Sequence, residues 1–143
     1  MRIYFHRYNS ISEPGILDAF RSLGYEVYQE TQEITRKSIS PQERVEALAT
    51  ALLTLKKAGV PFDCVFSVNF FPHIADVCQK LDTPYYAITV DCPVIEIFSK
   101  SITNPCCRVF LFDRRQYELI HPFAPDTVFH LPLGADPKLR IGM

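Results

Sequence analysis

The chain has 143 residues, 48% of them hydrophobic and 22% charged, with a net charge of −1. That length suits one domain around one core, and so small a charge leaves no electrostatic footprint for nucleic acid. No apolar run approaches the roughly 20 residues of a membrane span, and the opening MRIYFHRYN is too polar to read as a signal peptide.

Arg2 to Tyr8 is rich in β-formers and reads as a first strand. Ser12, Glu13 and Pro14 then open a helix, with Ser12 as its cap and Pro14 in its first turn. Ile16, Leu17, Ala19, Phe20 and Leu23 follow helical spacing, and Gly24 stops the run. Tyr25 to Gln29 alternates and reads as a second strand near a sheet edge. Gln29 to Ile39 is polar and reads as a loop. Ser40, Pro41 and Glu43 form a capping box for the clearest helix, over 41–58, whose apolar face includes Val45, Leu48, Leu52 and Leu55. Lys56 and Lys57 suit its last turn, and Gly59 ends it.

Asp63 to Val68 is a third strand, and Pro72 starts a helix that runs to Leu81. Tyr85 to Val90 is the fourth strand and Cys107 to Phe112 the fifth. A short helix spans Arg114 to Ile120, and Thr127 to Leu131 is a sixth strand. Strands alternate with helices, and three strands are almost wholly apolar, as in a parallel sheet covered on both faces. The expected fold is therefore a three-layer, doubly wound α/β domain, Rossmann-like or flavodoxin-like. Its sheet has about six strands in the order 2-1-3-4-5-6, with a switch point between strands one and three. Leu52 and Phe66 are expected in its core.

Five cysteines, Cys64, Cys78, Cys92, Cys106 and Cys107, make an odd number without a C-x-x-C pair. They read as mostly buried free thiols of a reducing, cytoplasmic compartment, not as a zinc site. Adjacent Cys106 and Cys107 are not expected to bridge each other. There is no G-x-G-x-x-G after the first strand and no G-x-x-x-x-G-K-[ST], and five glycines leave little room for a phosphate cradle. No cofactor and no metal is expected.

Ligands of open parallel sheets bind beyond the carboxyl ends of the strands, near the switch point. The residues there are His6, Arg7 and Asn9 after strand one, and Asn69, Phe71 and His73 after strand three. Asp91, Cys92 and Pro93 follow strand four, and Asp113 and Arg114 follow strand five. Asp91 is the candidate base and His6 a second catalytic candidate. Arg7, Asn9, Asn69, Phe71, His73 and Arg114 are candidate substrate contacts. Each has a plainer reading: Asn69 as cap of the helix at Pro72, Asp113 as cap of the helix at Arg114, Asp91 as a turn residue. Cys92 reads as a small buried hydrophobe. His121 and His130 are expected away from this rim, in structural roles.

Four segments carry a resemblance: YFHRYNSISEPGILDAFRSLGYEV, FDCVFSVNFFPHIADVCQKLDTPYYAITVDCPV, SKSITNPCCRVFLFDRRQYE and VFHLPLGAD. Together they resemble the amino-terminal domain of bacterial glycosyltransferases similar to the spore-maturation CgeB-like proteins, a domain of unknown function that precedes a glycosyltransferase domain. Asn69-Phe70-Phe71-Pro72, Asp91-Cys92-Pro93 and Leu111-Phe112-Asp113-Arg114 are its most telling parts. The resemblance implies GT-B architecture, with two facing Rossmann-like halves. The carboxyl-side half binds the nucleotide-sugar donor; the amino-side half binds the sugar or glycan acceptor and can supply a base. On that reading residues 1–136 are the acceptor-side domain, 137–143 lead toward an absent second domain, and the isolated chain is inactive.

Two other readings compete. A flavodoxin-like ligand-binding or receiver module fits the fold, although a receiver would carry paired acids where this chain has His6 and Arg7. A cysteine-dependent enzyme would need an abnormally acidic Cys92 thiol.

Overall fold

A computed structural model of the chain describes residues 1–6, 13–29, 41–89 and 99–131. The strands are β1 (Arg2–His6), β2 (Glu26–Gln29), β3 (Cys64–Val68), β4 (Tyr85–Thr89), β5 (Cys107–Leu111) and β6 (Val128–His130). The helices are α1 (Glu13–Ser22), α2 (Pro41–Lys57), α3 (Pro72–Lys80) and α4 (Arg114–Ile120), with 3-10 turns at Lys100–Thr103 and His121–Phe123. All six strands pair in parallel, in the order β2-β1-β3-β4-β5-β6. This is the α/β architecture and strand order expected from the pattern of apolar runs. The caps expected from Ser12 and Ser40 lie outside the described residues.

Glycine and proline placement sets the element ends. Gly24 and Gly59 both lie in the left-handed region, at φ 80 and 79. Each closes its helix with a paired set of backbone bonds. Gly24 N donates to Arg21 O and Tyr25 N to Phe20 O, while Gly59 N donates to Lys56 O and Val60 N to Leu55 O. A residue without Cβ takes this conformation without steric cost, so both helices stop where the next segment must turn back to the sheet. At the end of α3 the same geometry is carried by Asp82, at φ 52.

The sheet separates two cores. On one face Leu17 of α1 packs with Ile3, Phe5, Cys64, Phe66 and Val68, backed by Phe20. On the other, α2, α3, α4 and the 3-10 turn at Lys100–Thr103 contribute Leu48, Leu52, Ile74, Ile102 and Ile120 against Tyr4, Val65, Ala87 and Val109. Leu52 and Phe66 are thus core residues, as expected, but of opposite layers. β3 is buried along its whole length, whereas β4 and β5 alternate between buried and half-buried positions. Tyr86, Ile88 and Phe110 are apolar, so the run of β-formers in sequence does not betray this alternation. The covering layer is complete over the centre of the sheet and thinner toward β5.

The amino edge is locked by Arg2. Its backbone N–H donates to Asp63 at 2.6 Å, and its guanidinium reaches Glu26 at 3.0 Å and Val60 O at 2.9 Å. The Arg2–Glu26 ion pair is largely exposed on its Glu side and is worth at most about 1 kcal/mol; its role is to hold β2 and β3 in register beside β1.

Because Leu52 and Phe66 fill separate layers, Leu52→Ala and Phe66→Ala should each cost about 2–5 kcal/mol, with nearly additive effects in the double variant. Denaturant midpoints measure this, and a midpoint equal to the parent's for either single variant would show that its layer is not packed as described.

Candidate functional site

The parallel topology brings all six strand ends to one edge, and the order β1-β3 at the centre makes the crevice between them the switch point. β1 ends on His6, in register with Ser67 of β3. His6 is buried, and its ring meets Phe71 edge-on with centroids 4.8 Å apart. Phe71 in turn meets His73 at 5.9 Å. Three predicted site residues, from the end of β1, the loop after β3 and the first turn of α3, therefore form one contiguous imidazole–phenyl–imidazole cluster. Phe71 and His73 are half-buried.

Asn69 does not cap α3, which corrects the plainer reading of that residue. The cap position is Phe71, extended at φ −118 and ψ 109, and no side chain caps the helix there. Asn69 instead occupies the left-handed region at φ 69. Asparagine tolerates this conformation better than most residues, at about 1 kcal/mol. Its backbone N–H donates to Ile88 O at 2.6 Å, which extends the β3–β4 ladder by one bond.

A buried hydroxyl chain holds this loop. Phe71 N–H donates to Tyr85 Oη at 3.2 Å. Tyr85 Oη and Ser67 Oγ are 2.5 Å apart, and Ser67 Oγ donates to Asn69 O at 2.7 Å. One direction satisfies every member: Phe71 N–H to Tyr85, Tyr85 O–H to Ser67, Ser67 O–H to Asn69. Tyr85 is fully buried, and its ring stacks on Phe70 with centroids 5.9 Å apart. Burial pushes the Tyr85 phenol well above its ordinary value, so it remains a donor at neutral pH. Sequence reasoning read Tyr85 and Ser67 only as strand residues. The available signal was a hydroxyl inside strands otherwise built of apolar side chains, since a buried polar group must find partners.

The other predicted residues stand differently. Asp113 is a helix cap, as its plainer reading held, accepting from Arg115 N at 3.0 Å. Arg114 is not brought to the cluster. It follows β5, two strands from β3, and its exposed guanidinium pairs with Glu118 one turn along α4 at 3.3 Å. Arg7, Asn9, Asp91 and Cys92 lie outside the described residues. His130 is corrected in place: it ends β6 in register with Leu111, so it sits on the carboxyl edge and not away from it. It is far from the switch point, with Nε2 3.3 Å from Phe112 O and its ring against Tyr117. His121 lies near the opposite edge, Nδ1 2.9 Å from Val128 O. Both histidines serve the packing of α4 on β6, the structural role expected of them.

Among the described residues, no group of three or more His, Cys, Asp or Glu side chains is arranged to hold a metal ion. No described helix is long and apolar enough to cross a membrane. The buried thiols are poor nucleophiles: burial pushes Cys64 up to about 12 and raises Cys78 further still. Compared with known protein families and with curated proteins, the chain matches no family and no curated protein.

Tyr85→Phe keeps the ring stack but leaves Phe71 N–H and Ser67 without their buried partner. It should lower stability by about 1–3 kcal/mol. Chemical denaturation with an unchanged midpoint would contradict the hydroxyl chain.

Proposed function

We propose that the chain is the acceptor-side half of a GT-B glycosyltransferase, which receives a sugar from a nucleotide-sugar donor held by a second, carboxyl-side domain. The observation that carries this reading is the His6–Phe71–His73 cluster beside Asn69 at the switch point. Aromatic faces cover the apolar C–H side of a sugar ring, while imidazole and amide groups exchange hydrogen bonds with its hydroxyls. The resemblance of the Asn69-Phe70-Phe71-Pro72 segment to the CgeB-like amino-terminal domains supports this reading, since it implies a domain that faces a donor-binding partner. Asp91 is the proposed base, since it stands two residues beyond the end of β4, the strand adjacent to β3. A carboxylate there would take the proton of an acceptor hydroxyl as the new glycosidic bond forms. The proposed setting is the bacterial cytoplasm, where free thiols persist.

Two measurements test the division of labour. Free sugars titrated into the isolated chain should shift the backbone amides of Asn69 and Phe71, while nucleotide-sugars should neither bind tightly nor turn over. Tight donor binding or donor hydrolysis by the 143 residues alone would overturn the proposal. In the enzyme carrying both halves, Asp91→Asn should lower kcat by about 10²–10⁴ with the melting temperature kept. Asp113→Ala should lower the melting temperature and keep turnover, because it removes the side-chain cap of α4. The opposite pattern would move the base away from Asp91.

A further inference from the structure

The edge opposite the switch point carries chemistry that sugar transfer does not use. Between the end of α3 and the starts of β4 and β5 lies an open depression of about 310 Å³, whose lining includes Gln79, Asp82, Thr83, Tyr86, Cys106 and Arg108, so that one carboxylate and one guanidinium both face it. Cys106 is half-buried in its wall, and its sulfur lies 3.9 Å from that of Cys107, which is fully buried. Gln79 accepts from Cys106 N–H at 3.0 Å and fixes the residue in the turn before β5. The Arg108 guanidinium is held over this turn by Pro105 O at 2.9 Å and Cys107 O at 2.6 Å.

From this geometry we propose that Cys106 is a modification site at which a small anionic disulfide forms a mixed disulfide with the protein. While Cys106 is a thiol, its S–H donates to Ala75 O at 3.5 Å and the Cys107 S–H to Ser101 O at 3.7 Å. On ionisation of Cys106, Cys107 positions the reactive sulfur by turning its S–H across the 3.9 Å between the two sulfurs, and Arg108 supplies positive charge both for the thiolate and for carboxylates on the incoming molecule. The hydrogen bond from Cys107, then that from the backbone of Cys106 and the charge of Arg108, lowers the Cys106 thiol below its ordinary value against the opposing effects of burial and Asp76. The charge of Asp76 is dispersed by hydrogen bonds from Ser101 Oγ at 2.8 Å and Asn104 Nδ2 at 3.0 Å. Cys107 moves in the opposite direction, raised by its bond to Cys106 and by burial, so the two adjacent thiols divide into nucleophile and donor.

The step is thiol–disulfide exchange. The Cys106 thiolate attacks one sulfur of R–S–S–R, the new Cys106–S–S–R bond forms as the old S–S bond breaks, and RS⁻ leaves to take up a proton from water. Cys106 is oxidised and one half of the small disulfide is reduced, so no further oxidant enters. Closure onto Cys107 is opposed by the backbone. Cys106 O accepts from Tyr85 N at 2.8 Å and Cys107 N donates to Asn104 O at 2.9 Å, and a ring joining adjacent cysteines would distort both bonds. The adduct therefore remains in the depression as a mixed disulfide.

Incubating the whole chain with glutathione disulfide, followed by intact-mass measurement and peptide mapping, tests the site. One glutathionyl group should appear on Cys106, roughly tenfold or more faster than on Cys64 or Cys78. The rate should rise with pH through a midpoint below the ordinary thiol range. Cys107→Ala should move that midpoint upward, and Cys107→Ser, which keeps a donor, should restore it. First modification at Cys92, or a Cys106 rate no greater than that of the buried thiols, would overturn the proposal on the unsubstituted chain alone, whatever the variants do.

Discussion

The hydrogen bond between Tyr85 of β4 and Ser67 of β3 is the constraint on which the candidate site depends. These hydroxyls lie 2.5 Å apart in the centre of the sheet, where an unsatisfied polar group would be costly. Each spends its remaining capacity on the loop after β3: Tyr85 accepts from Phe71 N–H, and Ser67 donates to Asn69 O. The core thus reaches up and fixes both sides of Phe70. With that loop fixed, Asn69 is kept in a left-handed conformation, Phe71 is delivered to the ring of His6, and α3 can begin at Pro72 without a side-chain cap. In a low-dielectric interior such a chain of hydroxyls strengthens each of its links.

The two edges of the sheet differ in kind. The carboxyl edge gathers imidazole, amide and aromatic groups at a crevice made by topology. The amino edge is tied by Arg2 at one side and holds the paired thiols Cys106 and Cys107 at the other. The open depression belongs to this second edge, far from the switch point. A hollow marks where a small molecule fits; the strand order marks where the fold directs catalytic loops. In this domain the two indications point to different places, and the glycosyltransferase reading rests on the strand order, the ring cluster and the family resemblance, not on the hollow.

Much of the architecture was legible in the residues because its causes are local. Apolar runs at Cys64–Val68 and Tyr85–Thr89 require burial, Gly24 and Gly59 stop helices, and Asp113 caps the helix that follows it. Strand order followed from the long α2 crossing between β2 and β3. The site was legible only in part. His6, Phe71 and His73 could be assigned to the right edge from the strand ends, but their ring contacts arise between residues far apart in sequence. The same holds for the Tyr85–Ser67 bond, which spans 18 positions and appears in sequence only as two polar letters within hydrophobic strands. Asn69 misled because asparagine suits both a helix cap and a left-handed turn. Cys106 could not be told from its neighbour by composition, since only tertiary packing buries one thiol and leaves the other in the wall of a depression.

Amide hydrogen exchange at Phe71 tests the central constraint most directly. That N–H lies in a connecting loop, where exchange is ordinarily fast, yet its acceptor is the hydroxyl of a fully buried tyrosine. If the hydroxyl chain holds the loop, the Phe71 amide should be protected to nearly the same free energy as the amides of β3 and β4. Exchange at the rate of an exposed loop amide, with β3 and β4 still protected, would contradict the account.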